Sequence, residues 1–385
     1  KVLKGLIKAG PRAAFLRKAL VVFQFTLSIV LIIGTIVVSK QINYIQTKNL
    51  GYDKDNVISI PLQGNLLNKY TTFKQEAVNI PGVKIVTRIT QIPTKLTSGT
   101  SDVDWQNKNP DEKNLFVWAS VGYDFVKTLD LQMLRGRDFA KDYPTDSSGY
   151  LLNESALKII NYKDPVGKQF TFWGQHGTII GVVRDFHFNS LHDPIQPLIL
   201  RMREDESFGN ALVRIEPAKT QQALQSLDAL SRQLNPKFPF TYQFLDEAYN
   251  SLYTSEQMIN KLSGYFAFIA IFICCLGLLG LVMFTAEQRI KEIGIRKVLG
   301  ANTASVFGLL SKDFLVLVFI AFVIASPLAW WAANNWLTGF AYRISISWWM
   351  FLLAGFITMV IALATISVQA IKAAMANPVK SLRTE

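Results

Sequence analysis

Four stretches of the chain carry no charged residue: 19–39, 262–286, 314–342 and 344–371. A helix needs about 20 mostly apolar residues to cross the hydrocarbon core of a bilayer, and each stretch meets that length. Buried core helices seldom stay uncharged for so long, so the pattern predicts four membrane-spanning helices, at 19–39, 262–286, 313–333 and 348–370. The last two stretches exceed one span. The sequence "WWAANNWLTGFAYRISISWW" between them supplies a short turn, 334–347: Asn334, Asn335 and Gly339 break the apolar pattern, and the Trp and Tyr side chains suit the headgroup level. Small residues recur at helical spacing in the second span (Ala267, Ala270, Cys274, Gly277) and the third (Ala321, Ala325, Ala329). Small residues let helices approach closely in lipid, so these stripes are expected to face other spans.

Residues 40–261, between the first two spans, alternate between strand and helix patterns. "SKQINYIQTKNLG" extends the first span at helical spacing and reaches Gly51, a natural helix C-cap. "FLDEAYNSLYTSEQMINKLSGYF" sets Leu245, Ala248, Tyr249, Leu252, Ile259 and Leu262 on one helical stripe leading into the second span. The two approaches predict a helical stalk; separate surface helices are the alternative. "NVISIPL" alternates like a strand, and "YTTFKQEAVNIPGVKIVTRIT" reads as helix, turn, strand. "ALVRIEP", "AKTQQALQSLDALSRQLNP" and "FTYQFL" read as strand, helix, strand. Residues 102–203 are strand-rich: "NLFVWASVGYDF" alternates, and "GTIIGVVRDFHF" reads as a buried strand followed by an alternating one. The expected fold is therefore a four-helix membrane protein with a large α+β domain between helices 1 and 2, built as a split α+β subdomain with an inserted β-rich subdomain.

The net charge of +12 suggests nucleic acid until it is located. Residues 40–261 carry 25 basic and 24 acidic residues, close to neutral. The excess sits in short flanks: six basic residues and no acid in 1–18, five basic against three acidic in 287–313, three against one in 372–385. Lys and Arg beside spanning helices mark the cytoplasmic side. The expected topology places 1–18, 287–312 and 371–385 inside, and 40–261 and 334–347 outside. Nucleic acid is not an expected partner; membrane lipid is. Cys274 and Cys275 are the only cysteines, and both fall within a span, so the α+β domain carries no disulfide. The first apolar run is too long for a cleavable signal and lacks a small-residue cleavage site.

Catalytic signatures are missing from the pattern. "PVGKQF" lacks the glycine offset and the following Ser or Thr of a P-loop. No Gly-x-Ser-x-Gly elbow occurs. Asp185, His187 and His192 in "DFHFNSLHD" match no zinc spacing and read as polar residues on a strand and the turn after it. Asp102 and Asp104 are explained by strand alternation. No catalytic, cofactor or metal site is expected.

The polar interruption "EQRIKEIGIRKVLGAN", residues 287–302, separates the second and third spans. Glu287 precedes Lys291, and Glu292 precedes Arg296, by four residues, the favourable acid-first order on a helix. Ile290, Ile293 and Val298 supply an apolar side, Gly300 sits where a helix would end, and Asn302 or Thr303 can cap the next one. A positive tether that only sets topology needs neither ordered acid–base pairs nor a capped end. The stretch therefore reads as a docking knob for a cytoplasmic partner, with Glu287, Arg289, Lys291, Glu292, Gly294, Arg296, Lys297 and Gly300 as its candidate residues; the tether is the alternative.

These residues resemble the permease subunits of the FtsX/MacB-like ABC transporter family. "EQRIKEIGIRKVLGA" is similar to that family's segment after its second membrane helix, and "ANPVKSLRTE" to its ending. "LRGRDF", "LLNESALKII", "DPVGKQF" and "IIGVVRDFHFNSL" resemble its extracytoplasmic core. The resemblance covers almost the whole chain. It implies a bacterial inner-membrane permease that pairs with a separate cytoplasmic ATPase subunit through the charged loop, and whose stalk and outer domain move with ATP hydrolysis in export or mechanotransmission. It also leaves room for an outer-membrane or periplasmic partner. The chain starts at "KVLKGLIKAG", where Lys1, Leu3 and Lys4 fall as Lys380, Leu382 and Arg383 do in "PVKSLR". Some members carry two such units in one polypeptide, so this chain is expected to be the second half of a longer permease, paired with its first half. A membrane-anchored sensor or scaffold without powered transport is the alternative function.

Overall fold

The four uncharged stretches fold as helices long and apolar enough to cross a membrane: α1 (Pro11–Thr47), α8 (Thr254–Gln288), α9 (Thr303–Leu337) and α10 (Trp348–Met375). The computed structural model describes residues 11–289, 292, 295 and 303–375. These form two units. The membrane unit holds the chain through Ile45, Ser255–Gly339 and the part from Arg343 onward; the α/β unit holds Gln46–Thr254 and Phe340–Tyr342.

In the membrane unit one continuous apolar core joins all four helices. Val21, Phe25, Ile29, Ile33 and Val37 form its stripe on α1, and Cys274, Leu278 and Val282 its stripe on α8. From α9 come Phe314, Val318, Ala321, Ala325 and Ala329, and from α10 Ala354, Ala362 and Ile366. Alanine dominates α9 because methyl-sized side chains let backbones close in where lipid offers no hydrophobic driving force. A hydroxyl in hydrocarbon must find an acceptor, and these find one a turn back. Thr35 donates to Leu31 O, Ser326 to Phe322 O, Thr358 to Ala354 O and Thr365 to Ile361 O, each at 2.8 Å. Gln41 is fully buried, and its Oε1 accepts the Ile344 N–H at 3.0 Å, which satisfies a backbone donor ahead of α10.

The α/β unit is built on strands β1 (Val57–Pro61), β2 (Val83–Ile89), β3 (Gly99–Thr100), β4 (Val103–Trp105), β5 (Phe116–Val121) and β6 (Met133–Gly136). They are followed by β7 (Gly149–Asn153), β8 (Gln169–Phe172), β9 (Gln175–Val183), β10 (Leu198–Met202), β11 (Asn210–Ile215) and β12 (Gln243–Phe244). The main path runs β12-β1-β11-β2-β5-β10-β7-β9-β8-β4. The β5–β10 and β7–β9 pairs are parallel and the others antiparallel.

Two cores lie along this sheet. In the first, Ile58, Ile60, Val86 and Val213 meet α3 (Tyr70–Val78) through Phe73 and Ala77, and α6 (Thr220–Leu234) through Ala223 and Leu227. In the second, Trp105, Phe116, Trp118, Phe170, Phe172 and Ile179 pack with Ala156 of α5 (Glu154–Ile160). The strand–helix–strand units at the two ends of the segment share the first core, and the strand-rich middle builds the second. The two are not separate sheets: β2 meets β5 at the single pair Ile89–Val121, and the sheet continues across it.

Four local expectations are corrected. The helix of the first span stops at Thr47; Gly51, at φ +82°, turns the chain against the Asp185 carbonyl instead of capping α1. The stripe from Leu245 to Leu262 does not run in one helix. It divides into α7 (Leu245–Ser251) and α8, because the Leu252 and Tyr253 N–H groups bond three residues back, to Tyr249 O and Asn250 O, and Tyr253 Oη accepts the Leu191 N–H at 2.7 Å. β1 and β5 do not alternate: four residues of the first and all six of the second are buried, as strands in a sheet covered on both faces require. "RDFHF" is not a strand: the Arg184 N–H bonds Gln132 O and the His187 N–H bonds Leu50 O, so its donors leave the ladder.

Candidate functional site

The last turn of α8 sets the geometry where the charged stretch begins. Thr285 Oγ1 donates to Leu281 O at 2.8 Å, and the Arg289 N–H reaches back to Thr285 O at 3.1 Å, closing the turn after Gln288. The Arg289 guanidinium then donates to Asp313 Oδ2 on α9 at 2.9 Å. The two side chains are 34% and 50% exposed, so the pair contributes less than about 1 kcal/mol and acts mainly as a register mark between α8 and α9. On α1, Arg17 lies over the Phe284 ring at 4.1 Å. The end of α8 and the flanks of α1 and α9 thus enclose a cleft of about 220 Å³ lined by Arg17, Lys18, Phe284, Gln288, Arg289 and Asp313.

Of the candidate coupling residues, Glu287 stands exposed on the last turn of α8, Arg289 is held by Asp313, and Glu292 is exposed. Lys291, Gly294, Arg296, Lys297 and Gly300 lie outside the described residues, as do Ile290, Ile293, Val298 and Asn302. The acid–base pairs Glu287/Lys291 and Glu292/Arg296 are therefore read from sequence alone. Asp313 and Arg17 were not singled out there. Their signal was faint: one acid closing a basic stretch, and one base among six.

Among the candidate packing residues, Ala267, Cys274, Ala321 and Ala325 are buried, the last two completely, while Ala270 and Gly277 are half-buried. Cys274 Sγ lies 3.1 Å from Ser28 Oγ on α1, and a Cβ on Gly277 would come within 2.7 Å of Gln24 Oε1. The packing gives a direct test in single-cysteine variants. Cys274 should react several-fold more slowly with a bilayer-soluble maleimide than Cys275, its half-buried neighbour. Equal rates would place Cys274 against lipid.

In the α/β unit Asp185, His187 and His192 are each engaged by neighbouring side chains. Asp185 accepts from Ser155 N–H at 2.9 Å and Ser155 Oγ at 2.7 Å. Burial, with Lys48 nearby, pushes His187 down to about 4, and its ring meets Tyr342 edge-on at 4.5 Å. His192 stacks on Phe340 at 4.0 Å. Among the described residues, no group of three His, Cys, Asp or Glu side chains is placed to hold a metal. Arg88, 1% exposed, donates to the carbonyls of Glu204, Glu206 (2.9 Å) and Phe208 (3.1 Å) and lies over Tyr70 at 4.9 Å. Burial lowers its pKa, and the acid-rich loop above it, with Glu204 and Glu206, acts in the opposite sense.

Residues 264–378, which take in most of α8, the charged connection, α9 and α10, match the FtsX-like permease C-terminal family model. Over that stretch the chain is similar to the FtsX-like permeases. The macrolide export ATP-binding/permease protein MacB of Aggregatibacter actinomycetemcomitans is 26% identical over 226 residues, 56% of this chain and 35% of the relative. The ABC transporter permease YknZ of Bacillus subtilis is 22% identical over 326 residues, 82% of this chain and 80% of the relative. This chain spans about a third of the length of the MacB relatives. The crystal structure of the periplasmic region of MacB from Actinobacillus actinomycetemcomitans superposes with a TM-score of 0.40 at 20% identity, covering 54% of this chain and 98% of that region.

Proposed function

We propose that this chain is the transmembrane permease part of an ABC transporter. In this reading a cytoplasmic ATPase docks on the connection between α8 and α9, and its cycle moves the α/β unit on the far side of the membrane, in export or mechanotransmission. The observation that carries the reading is the FtsX-like match over 264–378, which contains the charged connection and the helices on both sides of it. The basic flanks support an orientation with 1–18, 287–312 and 371–385 inside and the α/β unit outside. A second permease half completes the membrane part. ATP hydrolysis is assigned to the partner, since the chain carries no P-loop motif.

The test is stimulation of the partner ATPase in reconstituted membranes. Glu292→Lys changes its own helix by only a few tenths of a kcal/mol, yet reverses a charge presented to the partner. A contact of this kind, when desolvated, is worth about 1.4 kcal/mol or more, roughly tenfold in affinity. Gly300→Val removes the glycine that the sequence offers as a helix C-cap ahead of α9. Both variants should insert and express, and both should lose most of the stimulation. Full stimulation by both would reduce the connection to a topological tether and favour a sensor or scaffold.

A further inference from the structure

A cavity of about 480 Å³ lies within the α/β unit, where three segments distant in sequence meet: 49–53, 130–132 and 184–187. Backbone hydrogen bonds hold them together. The Asp53 N–H donates to Leu129 O at 2.8 Å, the Arg184 N–H to Gln132 O at 2.8 Å and the His187 N–H to Leu50 O at 2.7 Å. Gly51 permits the approach, since a Cβ there would lie 2.9 Å from Asp185 O. The volume falls within the range of about 300–1,000 Å³ typical of ligand sites, but such sites are mostly apolar and this one is not. Seven of its ten lining residues, all but Leu50, Gly51 and Tyr52, carry a planar carboxyl, amide, guanidinium or imidazole group.

We propose that this cavity binds a neutral, hydroxyl-rich ligand, a mono- or disaccharide unit of a carbohydrate. Its charges are balanced. Asp53 is bound by Arg214 at 2.7 Å, and Asp185 accepts from Ser155 with Lys158 3.6 Å away. That leaves one carboxylate, Asp130, and one guanidinium, Arg184. His187 is uncharged at neutral pH, because burial and the nearby Lys48 push it down to about 4. A strongly charged ligand therefore meets no excess of opposite charge. Donors and acceptors are mixed instead. Arg184 gives one N–H to Gln132 Oε1 at 2.6 Å, and Asn49 Oδ1 takes the Gly51 N–H at 2.8 Å. The amide nitrogens of Gln132 and Asn49 remain as donors beside the Asp130 carboxylate, an acceptor. A hydroxyl donates and accepts at once, and planar amide and guanidinium groups present paired donors that suit two vicinal hydroxyls. A zwitterionic amino acid would use only Asp130 and Arg184 and leave the amides idle. Leu50 and Tyr52 supply a small apolar patch for the C–H face of a sugar ring. The inference stands on the α/β unit alone and does not depend on ATPase coupling.

The experiment is saturation-transfer NMR on the full chain in phosphatidylcholine nanodiscs, which avoids sugar-headed detergent. The probes are N-acetylglucosamine, maltose and N,N′-diacetylchitobiose at millimolar concentration, with glucuronic acid and dialanine as anionic and zwitterionic comparators. At least one neutral sugar should receive saturation more strongly than either comparator. D130N and R184Q should each weaken its binding about tenfold, the loss expected when one hydrogen bond to a charged group is removed. Both residues line the cavity yet are exposed, and asparagine tolerates the left-handed backbone of position 130, at φ +52°. D205N, which removes an exposed carboxylate outside the cavity, should leave binding unchanged. Absence of transfer to all three sugars overturns the proposal. So does transfer that D130N and R184Q leave untouched, which would place the sugar elsewhere on the protein. A preference for dialanine over every sugar would mark a site for peptide ends, and would also overturn it.

Discussion

Arg88→Met should lower the stability of the α/β unit by about 3–5 kcal/mol, the cost of removing one partner from a buried charged network. The methionine fills similar volume, so the loss isolates the guanidinium. Without it, the carbonyls of Glu204, Glu206 and Phe208 lose their shared donor, and an unsatisfied buried acceptor costs about 1–3 kcal/mol. Arg88→Lys should fall between, because an ammonium lacks the planar fork that reaches several carbonyls at once. At about 2–4 °C per kcal/mol for a unit of this size, the methionine variant should melt on the order of 10 °C lower. The 203–209 backbone should be the first part of the unit to lose hydrogen-exchange protection. An unchanged melting temperature would mean that water takes over the carbonyls at no cost, and that the guanidinium is dispensable.

Gly177→Ala should be as damaging, for a steric reason. A Cβ at this position on β9 would lie 2.0 Å from Ser148 O and 2.6 Å from the Tyr150 ring. The nearer atom is backbone and cannot swing away, so the start of the β7–β9 pairing has to shift. A loss of about 3 kcal/mol is expected, at the upper end of overpacking costs. Gly174→Ala, three residues earlier, is the matched control. It has φ +68° and nothing within 4 Å of the added methyl, so it should cost only the left-handed backbone term of about 1–2 kcal/mol. Comparable losses in chemical denaturation would show that the clash at Gly177 relaxes freely.

The spans were legible in the sequence because lipid imposes a rule with almost no exceptions: a long helix without charge has one place to go. The two cores were legible in part, since strand–helix–strand units flank a strand-rich middle. What escaped the sequence depends on contacts distant along the chain. β5 reads as alternating because Ser120 looks like a solvent-facing position, yet it lies in the sheet interior, where Ser120 Oγ donates to Glu206 at 2.6 Å. The break at Leu252 and Tyr253 follows from a bond to Leu191, sixty-two residues away. At the candidate site the pattern picked out Arg289 by its charge. It could not supply Asp313, 24 residues later, since helical spacing predicts only partners three or four positions away.

The interleaving of the two cores has a consequence for biogenesis. Ile58 on β1 pairs with Val213 on β11, 155 residues later (213 − 58), so the first core cannot close until nearly the whole unit has been synthesised. At about 5–20 residues per second this is a wait of roughly 10–30 s. The second core draws on Val103 to Ile199, a contiguous stretch that becomes complete while the partner of β1 is still unmade. The chain therefore emerges with its middle ready to fold and its first strand, already tethered to α1, exposed and unpaired. During those seconds β1 offers "VISIP" as an open apolar edge. The nascent protein is most vulnerable to aggregation and to quality-control proteases in that interval, before β11 arrives.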